Sequence, residues 1–176
     1  KDAGDAAAFT RLVEKVINGA PKAALILMTE NTENMKAAIA VCGERKPLLY
    51  GATAANLQAM ADLAKASGCP LGVHGRNLDE LVDLSSKLLE TGLKDLVIDS
   101  GVRTLRGAFE DGIVARRSAV KEKYKPLGFP TITFPCEMTD DLMMEAMIAS
   151  VLMAKYAGIV VLSDIQGDIL FPLLLE

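Results

Sequence analysis

Six short apolar runs recur along the chain, at residues 23–29, 47–52, 70–75, 95–100, 131–136 and 159–164, with starts 23 to 36 residues apart. Each run is nearly continuous in apolar character rather than alternating, as expected of strands buried on both faces. The stretches between them keep a helical period. Leu78, Leu81, Val82, Leu84, Ser85, Leu88 and Leu89 fall on one broad face; Met35, Ala38, Ile39 and Cys42 form a second, and Leu57, Met60, Ala61 and Ala64 a third. Strict alternation of strand and helix requires parallel strands, because each return passes through a helix that must also cover the sheet. Two architectures meet that demand, a closed barrel and an open doubly wound sheet. The even beat, and the lack of a glycine-rich dinucleotide loop after the first run, favour the barrel. The expected fold is therefore α/β, a partial (β/α)8 TIM-type barrel with about six parallel strands visible, as one domain over residues 1–176. A leading helix is expected over residues 5–17.

Composition narrows the function classes. With 51% hydrophobic residues in 176, the chain can bury one sizeable core, and with aromatics at 5% and no Trp that core is aliphatic. The net charge is −4, from 19 basic and 23 acidic residues, and no basic stripe interleaved with aromatics points to nucleic acid. Cys42, Cys69 and Cys136 are odd in number and widely spaced, which argues for a reduced, cytoplasmic protein over a disulfide framework. The most apolar stretch, residues 147–162, is broken by Lys155 and Gly158, so no membrane span is expected. The chain opens on Lys1-Asp2-Ala3-Gly4, without an initiator Met or a signal-peptide pattern, and closes on Leu173-Leu174-Leu175-Glu176. Both ends read as cut, and a fragment of a longer protein is expected.

In parallel α/β folds chemistry gathers beyond the carboxyl ends of the strands. Those positions hold Thr29-Glu30-Asn31, Thr53, His74-Gly75-Arg76, Asp99-Ser100-Gly101, Cys136-Glu137 and Asp164-Ile165-Gln166, a polar and mostly acidic rim. Glu30, His74, Asp99, Ser100, Glu137 and Asp164 are the candidate rim contacts. Each has a plainer role open to it. Glu30, Asn31 and Thr32 suit a helix start, and Thr139 with Asp140 and Asp141 suits a Thr cap with two carboxylates facing the helix dipole. Asp99-Ser100-Gly101 is either a polar clamp or a strand end turned by glycine. His74, the only histidine, suits a rim hydrogen bond better than a general base or metal ligand. Cys136, at the strand end, reads as packing, and three cysteines cannot build a four-cysteine cluster. No strand-end lysine offers a Schiff base, no Walker loop appears, and "HGRN" and "DSGVR" are too short to be specific. No catalytic set assembles.

Four stretches together carry a resemblance: "RKPLLYGATAANLQAMADLAK", "GLKDLVIDSGVRTL", "YKPLGFPTITFPCEMTDD" and "AKYAGIVVLSDIQGDILFPLL". In this order they resemble the large (gamma) subunit of the corrinoid iron–sulfur protein of the acetyl-CoA synthase/carbon monoxide dehydrogenase pathway. The resemblance implies three parts, an iron–sulfur domain, a central barrel and a corrinoid domain, of which this chain resembles only the barrel. It implies that a corrinoid cobalt takes a methyl group from methyltetrahydrofolate through a methyltransferase and passes it to acetyl-CoA synthase. An iron–sulfur cluster then restores oxidised cobalt. The implied partners are the small subunit, the methyltransferase and acetyl-CoA synthase, with no nucleic acid and no membrane. No corrinoid or cluster ligand of the family maps onto a residue here, so the chain alone is expected to carry no cofactor and no activity. The competing expectation is a free-standing barrel enzyme using Glu30, Asp99, Glu137 and Asp164 on a small substrate such as a pterin.

Overall fold

The computed structural model describes residues 5–175. Residues 1–4 and Glu176, on which the reading of the ends partly rested, lie outside it. The described residues divide into two compact units, one of residues 5–74 with Ser86–Leu96, the other of Gly75–Ser85 with residues 97–175.

The first unit opens with α1 (Ala6–Gly19), started by the Asp5 carboxylate, which accepts from the Ala7 N–H at 2.9 Å. β1 (Ile26–Met28) leads to α2 (Thr32–Cys42), β2 (Leu48–Ala52), α3 (Leu57–Ser67) and β3 (Leu71–His74). β1 and β2 pair in parallel with Ile26 opposite Leu48, and β2 and β3 with Leu49 opposite Leu71. All five residues of β2 are buried, so the near-continuous apolar run does mark a strand covered on both faces. Met35 and Ala38 of α2, and Met60, Ala61 and Ala64 of α3, are buried as the helical spacing requires. The register between β2 and β3 shifts at Gly51, leaving Ala52 opposite Val73. Gly51 has φ +125°, and a Cβ there would land on the Thr29 carbonyl. Only glycine fits this bulge.

α4 (Leu78–Glu90) buries Leu81, Leu84, Ser85 and Leu88, with Leu78, Val82 and Leu89 half-buried: the face its sequence spelled out. β4 (Leu96–Asp99) is buried throughout. In the second unit the Ile98 N–H donates to the Pro130 carbonyl at 2.9 Å, and Ile98 bridges in parallel to Thr131. α5 (Leu105–Lys121) precedes β5 (Ile132–Thr133), α6 (Leu142–Met153), β6 (Ile159–Val160) and α7 (Gly167–Leu175). β5 and β6 pair in parallel, Ile132 opposite Ile159. Ile169 and Leu173 of α7 bury against Ala149 of α6. Among the described residues no helix is long and apolar enough to cross a membrane.

The α/β class and the parallel strands are as expected, whereas the six named strands divide between a four-stranded and a two-stranded sheet instead of forming one sheet of six. The last two strands are also shorter than their apolar runs, and the reasons are local. The run 131–136 stops after Thr133 because Phe134 precedes Pro135, which removes a ladder donor and begins a 3-10 turn, Pro135–Glu137. The run 159–164 stops after Val160. Beyond it the Ser163 N–H is taken by the Glu145 carboxylate at 2.6 Å, and the Ile165 N–H by Asp164 at 2.7 Å. Side-chain acceptors displace the ladder there.

The bulge gives a direct test. Gly51→Ala is expected to lower stability by on the order of 3 kcal/mol. Gly19→Ala, whose Cβ meets nothing within 4 Å, is expected to be neutral or slightly stabilising. Urea unfolding of the two variants measures the contrast, and equal midpoints would contradict the tight approach at Gly51.

Candidate functional site

Arg103 organises the strand-end chemistry of the second unit. Its Nη2 donates to Asp99 Oδ2 at 2.8 Å and its Nη1 to Asp99 Oδ1 at 3.1 Å, a two-pronged pair four residues apart in the chain. Its Nε donates to Glu137 Oε2. Its guanidinium also lies over the buried Phe134 ring, 4.6 Å from the centroid. One cation thus answers two of the rim carboxylates, and the planar fork of arginine permits both at once. Asp99 is 4% exposed, Arg103 25% and Glu137 51%, so the pair grades from buried to solvated. Asp99 further fixes the chain, its Oδ1 accepting from the Gly101 N–H at 2.8 Å and its carbonyl from the Gly75 N–H at 2.9 Å. Gly101, at φ +78°, passes so close to the Gly75 carbonyl that a side chain has no room. Asp99-Ser100-Gly101 is thus a strand end turned by glycine, with its carboxylate held by Arg103.

Asp99, Ser100 and Arg103 line a narrow cleft of about 40 Å³ running along α5, with Asp111, Thr133 and Tyr156. Asp111 Oδ2 is buried there with no hydrogen-bond partner among the described residues. Asp164, also in the second unit, stands apart from this cleft. It is exposed and accepts from its neighbours Ile165 and Gln166, bonds that hold its carboxyl below the usual range. In the first unit Glu30 is exposed at a helix start. The cap proper is Asn31, whose Oδ1 accepts from the Glu33 and Asn34 N–H groups at 2.9 and 3.3 Å. The Glu30 carbonyl accepts from Asn56 Nδ2 at 2.7 Å, and the same Nδ2 donates to the Gly51 carbonyl at 3.0 Å, tying the ends of β1 and β2 together. His74 is half-buried, with its Nδ1 3.3 Å from the Tyr50 hydroxyl and its ring edge-on to that tyrosine: the rim hydrogen bond expected of it.

Two expectations need correction. The cap of α6 is Asp141, accepting from the Met144 N–H at 2.8 Å; Thr139 instead accepts from the Asp141 N–H at 3.1 Å and props the cap. Cys136 lies on the 3-10 turn after the strand rather than on the strand. Arg103, Asn56, Asp111 and Glu145 were not among the sequence candidates. "DSGVR" does hold Asp99 and Arg103 at the helical i,i+4 spacing, and that was the available signal. Glu145 is 3% exposed and clamps the segment after β6 through the Ser163 N–H and hydroxyl, at 2.6 and 2.7 Å.

Among the described residues no three His, Cys, Asp or Glu side chains gather into a metal-holding group. Cys42 and Cys69 are buried and Cys136 is half-buried. Three thiols do not fit a four-cysteine iron–sulfur cluster, and no step is assigned here to such a group or to a corrinoid.

Removing the arginine strands a buried carboxylate. Arg103→Ala is expected to destabilise the chain by about 3 kcal/mol, and Glu137→Gln, at a half-exposed carboxylate, by less than about 1 kcal/mol. Urea titrations of both variants check the order, and an equal loss from each would refute it. Burial, then Glu137 and Glu145, raise the Cys136 thiol above its ordinary value. A raised thiol holds less thiolate, so iodoacetamide should label Cys136 more slowly than a free thiol at the same pH. Peptide mapping against a denatured control measures this, and labelling as fast as free cysteine would contradict it.

Comparison with known proteins gives the family of the chain. The family described as CO dehydrogenase/acetyl-CoA synthase delta subunit matches residues 1–175. The corrinoid/iron-sulfur protein large subunit of Moorella thermoacetica is 39% identical over 98% of this chain and 38% of its own length. The acetyl-CoA decarbonylase/synthase complex subunit gamma of Methanothermobacter thermautotrophicus is 34% identical over 85% of this chain and 35% of its own. That of Archaeoglobus fulgidus is 30% identical over 96% and 38%. The chain thus spans little more than a third of these relatives. It belongs to the CO dehydrogenase/acetyl-CoA synthase delta subunit family, in which the relatives named above carry large- or gamma-subunit names.

Proposed function

We propose that this chain is the central, barrel-type scaffold of a corrinoid iron–sulfur methyl carrier. In this reading the carrier relays a methyl group from methyltetrahydrofolate, delivered by a methyltransferase, to acetyl-CoA synthase in the cytoplasm. The scaffold pairs with the carrier's small subunit, and the cobalt and cluster chemistry belongs to parts of the longer relatives beyond the matched third. The observation that carries the reading is the internal engagement of the rim. Asp99 and Glu137 are both held by Arg103, and Asp164 serves its own loop. A substrate carboxylate pair needs free acceptors, so the alternative of a barrel enzyme acting on a pterin through these groups is the weaker one.

The test is assembly. The 176-residue chain, mixed with the small subunit of a corrinoid/iron-sulfur protein, is expected to co-elute with it in a one-to-one complex while retaining no stoichiometric cobalt or iron. Failure to associate at about micromolar concentration, or turnover of a pterin by the chain alone that Glu137→Gln abolishes, would overturn the proposal.

A further inference from the structure

α5 is the least buried long helix of the second unit. Of its 17 residues only Ala115 is buried, while Ile113 is 42% exposed and Val120 68%, with Tyr124 just past its end at 40%. Ile113 and Val120, seven residues apart, lie on one side of the helix. Beside them runs a groove of about 470 Å³ whose lining includes Ala119, Leu127, Pro130, Met153 and Ala157. An adjoining hollow of about 350 Å³ shares Arg116, Val120 and Tyr156 with it.

Charge is unevenly placed around this groove. Residues 116–125 hold Arg116, Arg117, Lys121, Lys123 and Lys125 against the single acid Glu122, in a chain whose net charge is −4. Lys155 adds a sixth cation on the groove wall. All six are exposed, and among the described residues none pairs with a carboxylate. Lys121 complements the helix C-terminus, but the dipole acts only within the last turn and does not account for the others or for the apolar stripe.

We propose that this groove docks an acidic amphipathic helix from a partner protein. The aliphatic floor receives its apolar side chains at i, i+3, i+4 and i+7, and the cations on the rim meet its flanking carboxylates. Small alanines along the floor allow close approach of a helix. Nucleic acid fits less well. Tyr156, on the groove wall, is held edge-on against Phe109 with centroids 5.1 Å apart and is not free to stack on a base.

The experiment uses a synthetic helical peptide of about 18 residues, with leucines on one face and glutamates along both flanks, and a copy with lysines in place of the glutamates. Binding to the 176-residue chain is read by fluorescence anisotropy, with a poly(U) oligomer and phosphatidylserine vesicles as rival ligands. The acidic peptide is expected to bind, to weaken at least about tenfold between 0.05 and 0.5 M salt, and to weaken about tenfold with Arg117→Glu/Lys121→Glu. Val120→Ala is expected to weaken it several-fold. Because these side chains are exposed, the circular dichroism and thermal midpoint should hold in every variant. The proposal is overturned if the acidic peptide does not bind, if the lysine peptide binds as well, if charge reversal changes nothing, or if poly(U) or the vesicles bind more tightly.

Discussion

Two parallel strands cannot be joined by a tight turn, so each parallel pairing obliges the chain to make a crossover before it returns. That obligation shapes everything described above. It spaces the apolar runs, places a helix between each pair, and buries β2 on both faces. It also leaves each strand ending in a loop where backbone polar groups need partners. Side chains supply them. Asn56 joins the ends of β1 and β2, the Asp99 carboxylate holds the backbone at Gly101, and Glu145 and Asp164 serve the loop after β6. Much of the rim's polar character is thus the consequence of strand ends, and only its remainder is open to ligands or partners.

How far the sequence disclosed this depended on the range of the interaction. The faces of α2, α3 and α4 were legible because helical spacing is a local signal, and the buried residues fall where that spacing put them. The early strands were legible for the same reason. The late strands were overestimated because apolar composition does not report acceptors that arrive from elsewhere: Glu145 reaches Ser163 across 18 residues. The α6 cap was misplaced by two residues because Thr139 and Asp141 have the same chemistry, and only the backbone path selects between them. Arg103 went unread because its link to Glu137 spans 34 residues.

The candidate site follows the same logic. Of the strand-end candidates, Asp99 and Glu137 are both held by one arginine, and Ser100 lines the cleft beside Asp99. Family membership and the share of the relatives' length that the chain spans then set the scale of the functional reading.

The spacing of Asp99 and Arg103 has a consequence for sequence drift. Loss of Arg103 takes the cation away from the buried Asp99 carboxylate, whereas loss of Asp99 leaves Arg103 with Glu137 and solvent. The arginine is therefore expected to be the more constrained of the two positions among descendants of this sequence, while Glu137, which solvent can satisfy, is at liberty to drift by itself.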